Sequence, residues 1–319
     1  MRSFFLIGIL YIYSVCAFSQ TEKLVDYVNP LIGTEGYGNV YPGAQIPFGG
    51  IQISPDTDSK FYDAASGYKY DHSSLLGFSL THLSGTGIPD LGDFLFIPGT
   101  GAMHLDAGTR ENPANSYRSS FSHDREWASP NYYAVDLLNY GVKAEMTAGM
   151  RSGMFRFTYP ESDSAFVMID LNHTLWQSAE WANVRIENDS TITGYKLVKG
   201  WGPERHIYFA AVFSKKIENF RIMQAGKPVI YNTKRFRSSN EAWGKDLMVC
   251  ISFATQKDEQ IVIKTAISAV GTFGAKKNLT ELEALTFDTL YQKGVDLWEK
   301  ELSKYKLNAD KKTKETFYT

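Results

Sequence analysis

The chain has 319 residues and sets 35 acidic against 33 basic side chains, a formal charge of −2. Lys and Arg are scattered without a basic block, which excludes a strongly basic nucleic-acid-binding surface. Aromatic residues make up 14% of the chain. They suit both sugar stacking and β-strands, so composition permits carbohydrate binding without establishing it.

The N-terminus has the pattern of a secretory signal peptide over residues 1–19. Arg2 precedes an apolar run over 4–15, and small residues stand before the expected cleavage site at Gln20. The run is too short to span a bilayer stably, so we expect a periplasmic or secreted protein with no membrane span. Cys16 keeps a lipoprotein as the alternative, but the three residues before it form a poor lipobox.

The stretch GFSLTHLSGTGIPDLGD (Gly77 to Asp93) carries four glycines, one histidine, two carboxylates and four Ser/Thr hydroxyls in seventeen residues. A loop of this composition gains little from burial, and its glycines let backbone amides approach a ligand closely. Its hydroxyls, histidine and carboxylates provide the donors and acceptors that a sugar requires. A glycine-rich turn whose Asp and Ser side chains bond their own backbone explains the same composition.

Three sharper motifs are excluded in this loop. Its glycines do not form G-x-G-x-x-G and no Gly-Lys-Ser/Thr follows, so a phosphate loop is unsupported. Ser84 lacks the G-x-S-x-G frame of a nucleophile elbow. His82 has no second His or Cys at the spacing of zinc ligands.

From residue 20 to about 275 the chain alternates short β-prone runs with turn signals at a spacing near ten residues. No helical pattern separates successive strands, which favours an antiparallel β-sandwich over a parallel sheet. The predicted strands are Phe94–Ile97, Tyr132–Leu138, Lys143–Thr147, Met154–Thr158, Phe166–Leu171, Thr191–Val198, His206–Phe213, Met248–Phe253 and Ile261–Ser268.

Cys250 lies in the apolar run MVCISF and is the only cysteine after the predicted signal peptide. No disulfide can form within the mature chain, and we expect this thiol to be a small buried hydrophobe.

After residue 275 the hydrophobic period changes from strand to helix. Asn278 with Glu281, or Thr280 with Glu283, could form a capping box at the start of a linker helix over 276–307. An apolar stripe then continues at three- and four-residue steps and needs a partner surface, either the sandwich or a further domain. The stripe contains Ala284, Phe287, Tyr291, Val295, Trp298, Leu302 and Tyr305. Residues 308–315 predict a solvated connector.

Several of these blocks together resemble glycoside hydrolase family 92, a family of calcium-dependent, inverting exo-α-mannosidases. The resemblance spans nearly the whole mature chain but only the family's N-terminal domain. It implies a large two-sheet supersandwich of galactose-mutarotase type. The blocks that carry it are VNPLIGTEGYGNVYPGAQIPFGGIQISPDTD (Val28 to Asp58), YDAASGYKY (Tyr62 to Tyr70), THLSGTGIPDLGD (Thr81 to Asp93), ASPNYYAVDLLNYGVKAEMTA (Ala128 to Ala148), AISAVGTFGAKKNL (Ala266 to Leu279) and FYT (Phe317 to Thr319).

The resemblance implies an active site between two domains, with loops of the N-terminal domain contacting an α-mannoside glycan. Tyr62 stands where the family usually has Trp, and a smaller ring leaves less stacking area. We expect Tyr62, His82, Thr86 and Asp90 to lie together at one partly exposed rim. The predicted substrate-binding residues are Tyr62, Asp63, His82, Ser84, Gly85, Thr86, Asp90 and Asp93.

The resemblance also implies that the catalytic carboxylates and the calcium ligands belong to an (α/α)6 domain that would begin at residues 308–319. We therefore expect no catalytic residue, metal ligand or cofactor in this chain. Asp90 and Asp93 could be imagined as an acid–base pair, which is the less favoured hypothesis. Asp56 and Asp58 hint at calcium but lack an EF-hand frame, and a turn after Pro55 explains them.

Three classes of function stay open on sequence alone. The first is the substrate-contacting N-terminal domain of a secreted α-mannosidase-type hydrolase. The second is a stand-alone carbohydrate-binding β-sandwich, and the third is a structural or interaction domain. The apolar helix stripe disfavours the second, and the dense polar loop from His82 to Asp93 is unnecessary for the third.

Overall fold

The structure is a computed structural model and describes residues 22–59, 64–230 and 239–319. The predicted signal peptide, Tyr62 and Asp63 lie outside the described residues. The strands are β1 (Ser54–Asp56), β2 (Ser74–Leu75), β3 (Gly77–Ser79), β4 (Leu95–Thr100), β5 (Ser119–Ser120), β6 (Glu126–Ser129), β7 (Tyr132–Leu137), β8 (Val142–Ala148), β9 (Ser152–Tyr159), β10 (Ser162–Asp170), β11 (Ser178–Ile186), β12 (Thr191–Lys199), β13 (Arg205–Phe213), β14 (Asn219–Gln224), β15 (Lys227–Pro228), β16 (Glu241–Gly244), β17 (Leu247–Thr255) and β18 (Glu259–Ser268).

Two large antiparallel sheets face each other. One has seven strands in the order β1-β3-β4-β10-β17-β14-β15, and the other has nine in the order β16-β11-β12-β13-β18-β9-β8-β7-β6. A small pair, β2 with β5, lies beside them. The prediction of a mainly β, antiparallel two-sheet sandwich followed by a C-terminal helix is confirmed.

Aromatic rings from both sheets fill the space between them. Phe78 and Phe96 project from the seven-stranded sheet against Phe155, Phe157 and Phe209 of the other, and all five are fully buried. The centroids of Phe96 and Phe155 are 4.8 Å apart. Burying a ring of this kind contributes roughly 1.5–3 kcal/mol, so this cluster supplies much of the stability of the sandwich.

Each of the nine predicted strands is present, with ends that differ by a few residues. The short strands β1, β2, β3, β5 and β15 were not predicted, and neither were β6, β11, β14 and β16. Cys250 is buried in β17 and free, as expected. Burial raises the pKa of its thiol to about 11.

The helical region begins earlier and is more broken than predicted. It contains α1 (Thr272–Leu279), a 3-10 turn (Thr280–Leu282), α2 (Phe287–Leu302) and α3 (Lys311–Tyr318). Asn278 lies in the last turn of α1 rather than opening a helix, and its side-chain amide donates to the Ile267 carbonyl oxygen of β18 at 2.7 Å. The capping box lies at Thr286 and Thr289 instead. No helix in the described ranges is long and apolar enough to cross a bilayer.

The apolar stripe of α2 packs on the outer face of the nine-stranded sheet. Phe287 and Val295 are buried, and the Tyr291 ring lies 5.3 Å from that of Tyr132 on β7. The indole of Trp298 donates to the Gln45 carbonyl oxygen at 2.8 Å. The sandwich is thus a partner surface for this helix. The predicted connector is partly helical, since α3 starts within it with Asp310 as its N-cap.

The N-terminal segment lies against α2 and α3. The Val25 amide donates to Glu299 of α2 at 3.0 Å, and the Asn29 amide donates to the Thr319 hydroxyl at 2.9 Å. The rings of Tyr27 and Tyr318 stack with centroids 6.2 Å apart. These contacts form a clasp that joins residues separated by 274 to 291 positions in the sequence.

Candidate functional site

The polar loop joins β3 to β4 at one end of the sandwich. The same end holds the loop between β10 and β11 (171–177) and the loop between β12 and β13 (200–204), because Asp170 pairs with Leu95 and Ser178 pairs with Lys199. Gly92 has a φ of +72°, and a Cβ there would lie 2.6 Å from the Leu175 side chain. Only glycine satisfies both constraints without strain, so this close approach fixes the base of the loop.

A buried carboxylate, Asp56 at the end of β1, binds two histidines. Its Oδ1 lies 2.8 Å from His82 Nε2, and its Oδ2 lies 2.7 Å from His173 Nε2. His82 is held on its other side as well, since its Nδ1 is 2.8 Å from the Gln52 carbonyl oxygen. Asp56 therefore ties the polar loop to the 171–177 loop from beneath.

The charge of Asp56 is stabilised in spite of its burial. Burial raises the pKa of the carboxyl, but the charges and hydrogen bonds of His82 and His173 outweigh that effect and hold the pKa well below its usual range. The interpretation of Asp56 as part of a turn is wrong, because the residue ends a strand and its oxygens are engaged by imidazoles. The neighbouring Asp58 pairs with Arg110 at 2.9 Å.

A second buried carboxylate, Asp93, closes the polar loop. Arg205 donates to it twice, from Nη1 to Oδ2 at 2.6 Å and from Nη2 to Oδ1 at 3.2 Å. The fully buried Lys196 places Nζ 3.1 Å from Oδ1, and the Thr81 hydroxyl donates to Oδ2 at 2.7 Å. Lys196 also donates to the His173 carbonyl oxygen, so the two carboxylate clusters form one network.

The pKa values in this cluster follow from burial and pairing. For Asp93, burial raises the pKa, but Lys196 and Arg205 overcome it and hold the carboxyl well below its usual range. For Lys196, burial lowers the pKa, and the attraction of Asp93 opposes that effect. The pairing with Lys196 and Arg205 favours the ionised form of Asp93 near neutral pH, which does not suit the role of a general acid.

Asp90 holds the polar loop to its neighbour. Its Oδ1 accepts from the Leu91 amide at 2.6 Å, and its Oδ2 accepts from the Trp201 amide at 3.0 Å. Both oxygens are therefore engaged by backbone. With Asp93 also paired, these contacts disfavour an acid–base pair formed by the two residues.

Residues 84–88 form the accessible part of the loop, with Thr86 half-buried and the others exposed; the tip that carries the predicted contacts is Ser84 to Thr86. The Gly85 amide donates to the Asn39 carbonyl oxygen at 2.7 Å, and the Thr86 hydroxyl donates to Ile88 at 3.1 Å. A Cβ on Gly85 would meet nothing within 4 Å, so the backbone here is open to a ligand. The tip offers hydroxyls and backbone groups from a firmly held base.

The structure separates the predicted substrate-binding residues into two sets. Ser84, Gly85 and Thr86 lie at the surface, whereas His82, Asp90 and Asp93 are buried beneath them. The expectation that His82 and Asp90 are partly exposed is wrong, because protein groups enclose them and bind their polar atoms. Tyr62 and Asp63 lie outside the described residues.

Sequence reasoning missed the groups that support the loop, namely His173, Lys196 and Arg205. One sequence feature pointed to Lys196. Residues 192, 194, 196 and 198 of β12 face inward, and a lysine in such a row needs a buried anion. The sequence did not reveal which anion this is, because Asp93 lies more than 100 residues earlier, in the loop before β4 of the other sheet.

No group of three or more His, Cys, Asp or Glu side chains within the described ranges could hold a metal ion. The carboxylates nearest the polar loop are already paired with Arg, Lys, His or backbone amides. These residues do not fit a calcium site.

The β-sandwich of this chain matches a known family model. The model described as the Glycosyl hydrolase family 92 N-terminal domain matches residues 27–268. A family GH92 α-mannosidase from Bacteroides thetaiotaomicron, solved in complex with mannoimidazole, is 75% identical with a TM-score of 0.91. That alignment covers 93% of this chain and 39% of the solved chain.

Two further relatives are more distant. A family GH92 inverting mannosidase from Bacteroides thetaiotaomicron VPI-5482 shares the fold with a TM-score of 0.79 at 24% identity, over 94% of this chain and 39% of that one. An "uncharacterized secreted glycosidase" of Arthroderma benhamiae is 28% identical over 177 residues, 52% of this chain and 22% of the relative. The chain thus spans about two fifths of the solved relatives, and by its N-terminal-domain match it belongs to glycosyl hydrolase family 92.

Proposed function

We propose that this chain is the N-terminal, substrate-contacting part of an α-mannosidase-type glycoside hydrolase that acts on mannose-containing glycans. The observation that carries the proposal is the 75% identity, across 93% of this chain, with an α-mannosidase solved with mannoimidazole. The polar loop supports it, since a hydroxyl-rich tip on a rigid base suits recognition of a neutral sugar.

The residues of the polar loop form two groups: those that contact the sugar, and those that hold the loop in position. Ser84, Gly85 and Thr86 supply hydroxyls and an accessible backbone at the tip, with Tyr62 and Asp63 as further contacts. His82 and Asp93 fix the two ends of the loop from below. Their buried, paired positions make them positioning residues that set where the tip stands.

We further propose that the reacting carboxylates lie outside the described residues of this chain. Inversion needs a general acid and a general base about 6.5–9.5 Å apart, with one of them able to carry a proton. Asp56, Asp90 and Asp93, the carboxylates of the candidate site, are all engaged as anions or backbone tethers. An additional domain with the calcium ligands would complete the site.

Export is part of the same proposal. The pattern over residues 1–19 directs the chain to the periplasm or the exterior, where glycans are accessible. The mass of the mature protein tests this: cleavage before Gln20 is expected, and an exported chain that keeps Met1 or carries lipid on Cys16 contradicts it.

Activity and binding assays test the proposed function. The purified chain should release no mannose from α-mannosides, with or without added calcium, yet should bind methyl α-mannoside weakly by saturation-transfer NMR. The double variant Ser84→Ala, Thr86→Ala should weaken that binding. Ser190→Ala, in the turn at the far end of β11, is the matched control.

Two results contradict this assignment. Binding that is unchanged in the double variant removes the tip from the contact surface. Mannose release that disappears in Asp90→Asn would place the chemistry in the polar loop itself.

A further inference from the structure

Two tryptophans lie on the outer face of the nine-stranded sheet, on its β16-β11-β12 side. The helices of this face pack mainly elsewhere, α1 on β13 and β18 and α2 on β8 and β9. Trp181 of β11 is 46% exposed and Trp243 of β16 is 49% exposed. A single exposed ring is ordinary on a soluble protein, but neighbouring exposed rings indicate a binding surface. These two residues are called the tryptophan pair below.

A β-bulge turns Trp181 outward. Ala179 pairs with Val198, whose side chain is buried between the sheets, so the alternation of a regular strand would direct residue 181 inward as well. The extra residue Glu180 shifts the register, and Trp181 pairs instead with Leu197 on the outer face. Bulges that re-aim a side chain are common beside functional sites. The outward indole is therefore a consequence of the strand geometry and not of loose packing.

Trp243 lies diagonally across from Trp181. It pairs with Asn183, which is two residues beyond Trp181 on the same face of β11. Side chains in this diagonal relation are about 7–8 Å apart. The Trp243 indole donates to Glu241 Oε1 at 2.9 Å, so its polar atom is satisfied within the protein and its ring is held in place. The pair thus offers two ring surfaces at a fixed spacing.

The tryptophan pair is separate from the polar loop. The row that contains Trp243 and Asn183 continues to Tyr195 of β12, four residues before Lys199 at the polar-loop end of that strand. At about 3.4 Å per residue, this row lies about 14 Å from that end. It also lies on the face of the sheet, whereas the tip belongs to the loops beyond its edge. A ligand of the pair is therefore independent of the tip.

The charged side chains around the pair are matched with one another. Lys245 lies 3.3 Å from Glu180, and Arg185 lies 3.8 Å from Glu187. His206, next to Tyr195, lies 2.7 Å from Glu204. Matched charges leave little net field at the surface, which disfavours phosphate, nucleic acid or a strongly acidic peptide. The complementary partner is neutral.

The size of the surface narrows the partner further. Two half-exposed indoles present roughly 150–250 Å² between them. A stable interface with a second copy of this chain needs about 800 Å² on each partner. A slender neutral ligand with flat apolar faces fits the smaller area, and the C–H faces of pyranose rings stack on indoles in this way.

We propose that the tryptophan pair is a surface site for a neutral β-1,4-linked glycan chain. Such a chain is an extended ribbon, so separate pyranose units can stack on Trp181 and on Trp243 at the same time. An α-1,4-linked chain coils and curves away from a flat sheet. The site attaches the protein to a polysaccharide, which goes beyond the proposed function because that function concerns an α-mannoside at the tip.

Titration of the ¹⁵N-labelled chain with β-1,4-linked mannohexaose tests the proposal, with the indole N–H resonances of the six tryptophans as the readout. The resonances of Trp181 and Trp243, assigned from their alanine variants, should shift. Trp181→Ala and Trp243→Ala should each weaken mannohexaose binding about tenfold, the upper range of an aromatic contact. Maltohexaose, which is α-1,4-linked, should not bind.

The matched control is Trp127→Ala, at a tryptophan on β6, the opposite edge strand of the same sheet, that is 46% exposed. It should bind mannohexaose as the wild type does. The thermal midpoint of each variant shows whether it is folded. If an alanine variant does not fold, Trp181→Phe and Trp243→Phe supply the assignment and should retain most of the binding, since each keeps a ring.

The outcomes separate this inference from the proposed function. Loss of mannohexaose binding in the two tryptophan variants, with binding of methyl α-mannoside unchanged, supports the site whatever the tip does. Mannohexaose binding that survives both variants, that fails in the Ser84, Thr86 double variant, or that is absent from the wild type overturns it.

Three further results also overturn the site. Equal binding of maltohexaose removes the ribbon as the ligand. Binding of a proline-rich peptide through the same two resonances, without mannohexaose binding, assigns the surface to a protein partner. Self-association of the wild type that both tryptophan variants abolish, measured by sedimentation, assigns the surface to a second copy of this chain.

Discussion

Replacing Asp56 by Asn is the most direct test of the network beneath the polar loop. The substitution keeps the shape of the side chain but removes the charge that both His82 Nε2 and His173 Nε2 contact, at 2.8 and 2.7 Å. The amide oxygen can still accept from one histidine. The NH2 group of the new side chain then faces the other histidine. That histidine must change tautomer so that its Nε2 can accept a hydrogen bond from the NH2 group.

The magnitude follows from these contacts. Hydrogen bonds to a charged group contribute about 1.5–3 kcal/mol each, and removing one partner of a buried pair costs about 3–5 kcal/mol. His173 can move its proton to Nδ1, because that atom has no partner in the described part of the chain. We therefore expect the free energy of unfolding to fall by about 3 kcal/mol, the low end of this range, out of a typical total of about 5–15 kcal/mol.

Equilibrium unfolding in urea at pH 7, followed by tryptophan fluorescence, measures this loss. Asp163→Asn, on the exposed part of β10, is the matched control and should change the free energy of unfolding by less than about 0.5 kcal/mol. A loss below about 1 kcal/mol in Asp56→Asn, with an unchanged denaturant slope, would show that the two imidazole contacts add little net stability and would refute the reasoning.

Four further predictions concern residues described above. Because the pKa of Asp93 is held low, its stabilising effect is present above its unfolded pKa near 3.9 and should be lost as pH falls below that value, which urea unfolding between pH 5 and 2 measures. Lys196→Met should lower the free energy of unfolding by about 3–5 kcal/mol and reduce that acid-dependent loss; an equally stable variant contradicts the pairing. Gly92→Ala should lower the thermal midpoint more than Gly85→Ala, because only the former also clashes with a side chain, and equal midpoints would count against this. Cys250 should resist thiol reagents at neutral pH and react once urea unfolds the chain; rapid labelling of the native chain contradicts its burial.

Much of the fold was predictable because its strands carry local signals. The long strands of the sheet centre have β-rich sequences bounded by turns, and all nine that were predicted are present. β11 was missed because a bulge between Ala179 and Trp181 breaks its alternation and leaves a large ring exposed. The shortest strands have two or three residues, too few to show a period.

The site was less predictable because its partners are distant in sequence. The loop itself was recognisable from its composition, and its tip is exposed as a ligand contact requires. Burial of His82 and Asp93 depends on Asp56, 26 residues away, and on Arg205, 112 residues away. A local sequence pattern does not reveal pairing between residues so far apart. Carboxylates that the sequence suggested as sugar contacts therefore support the loop from beneath.

The clasp between the N-terminal segment and the last two helices bears on the order of folding. Its bonds join residues up to 290 positions apart, and closing so long a loop costs about 3 kcal/mol more entropy than closing a ten-residue hairpin. This entropic cost becomes small only after the two sheets have formed and brought the partners together. The clasp should therefore form late, and its amides should exchange with solvent by local opening well before those of the sheet centre.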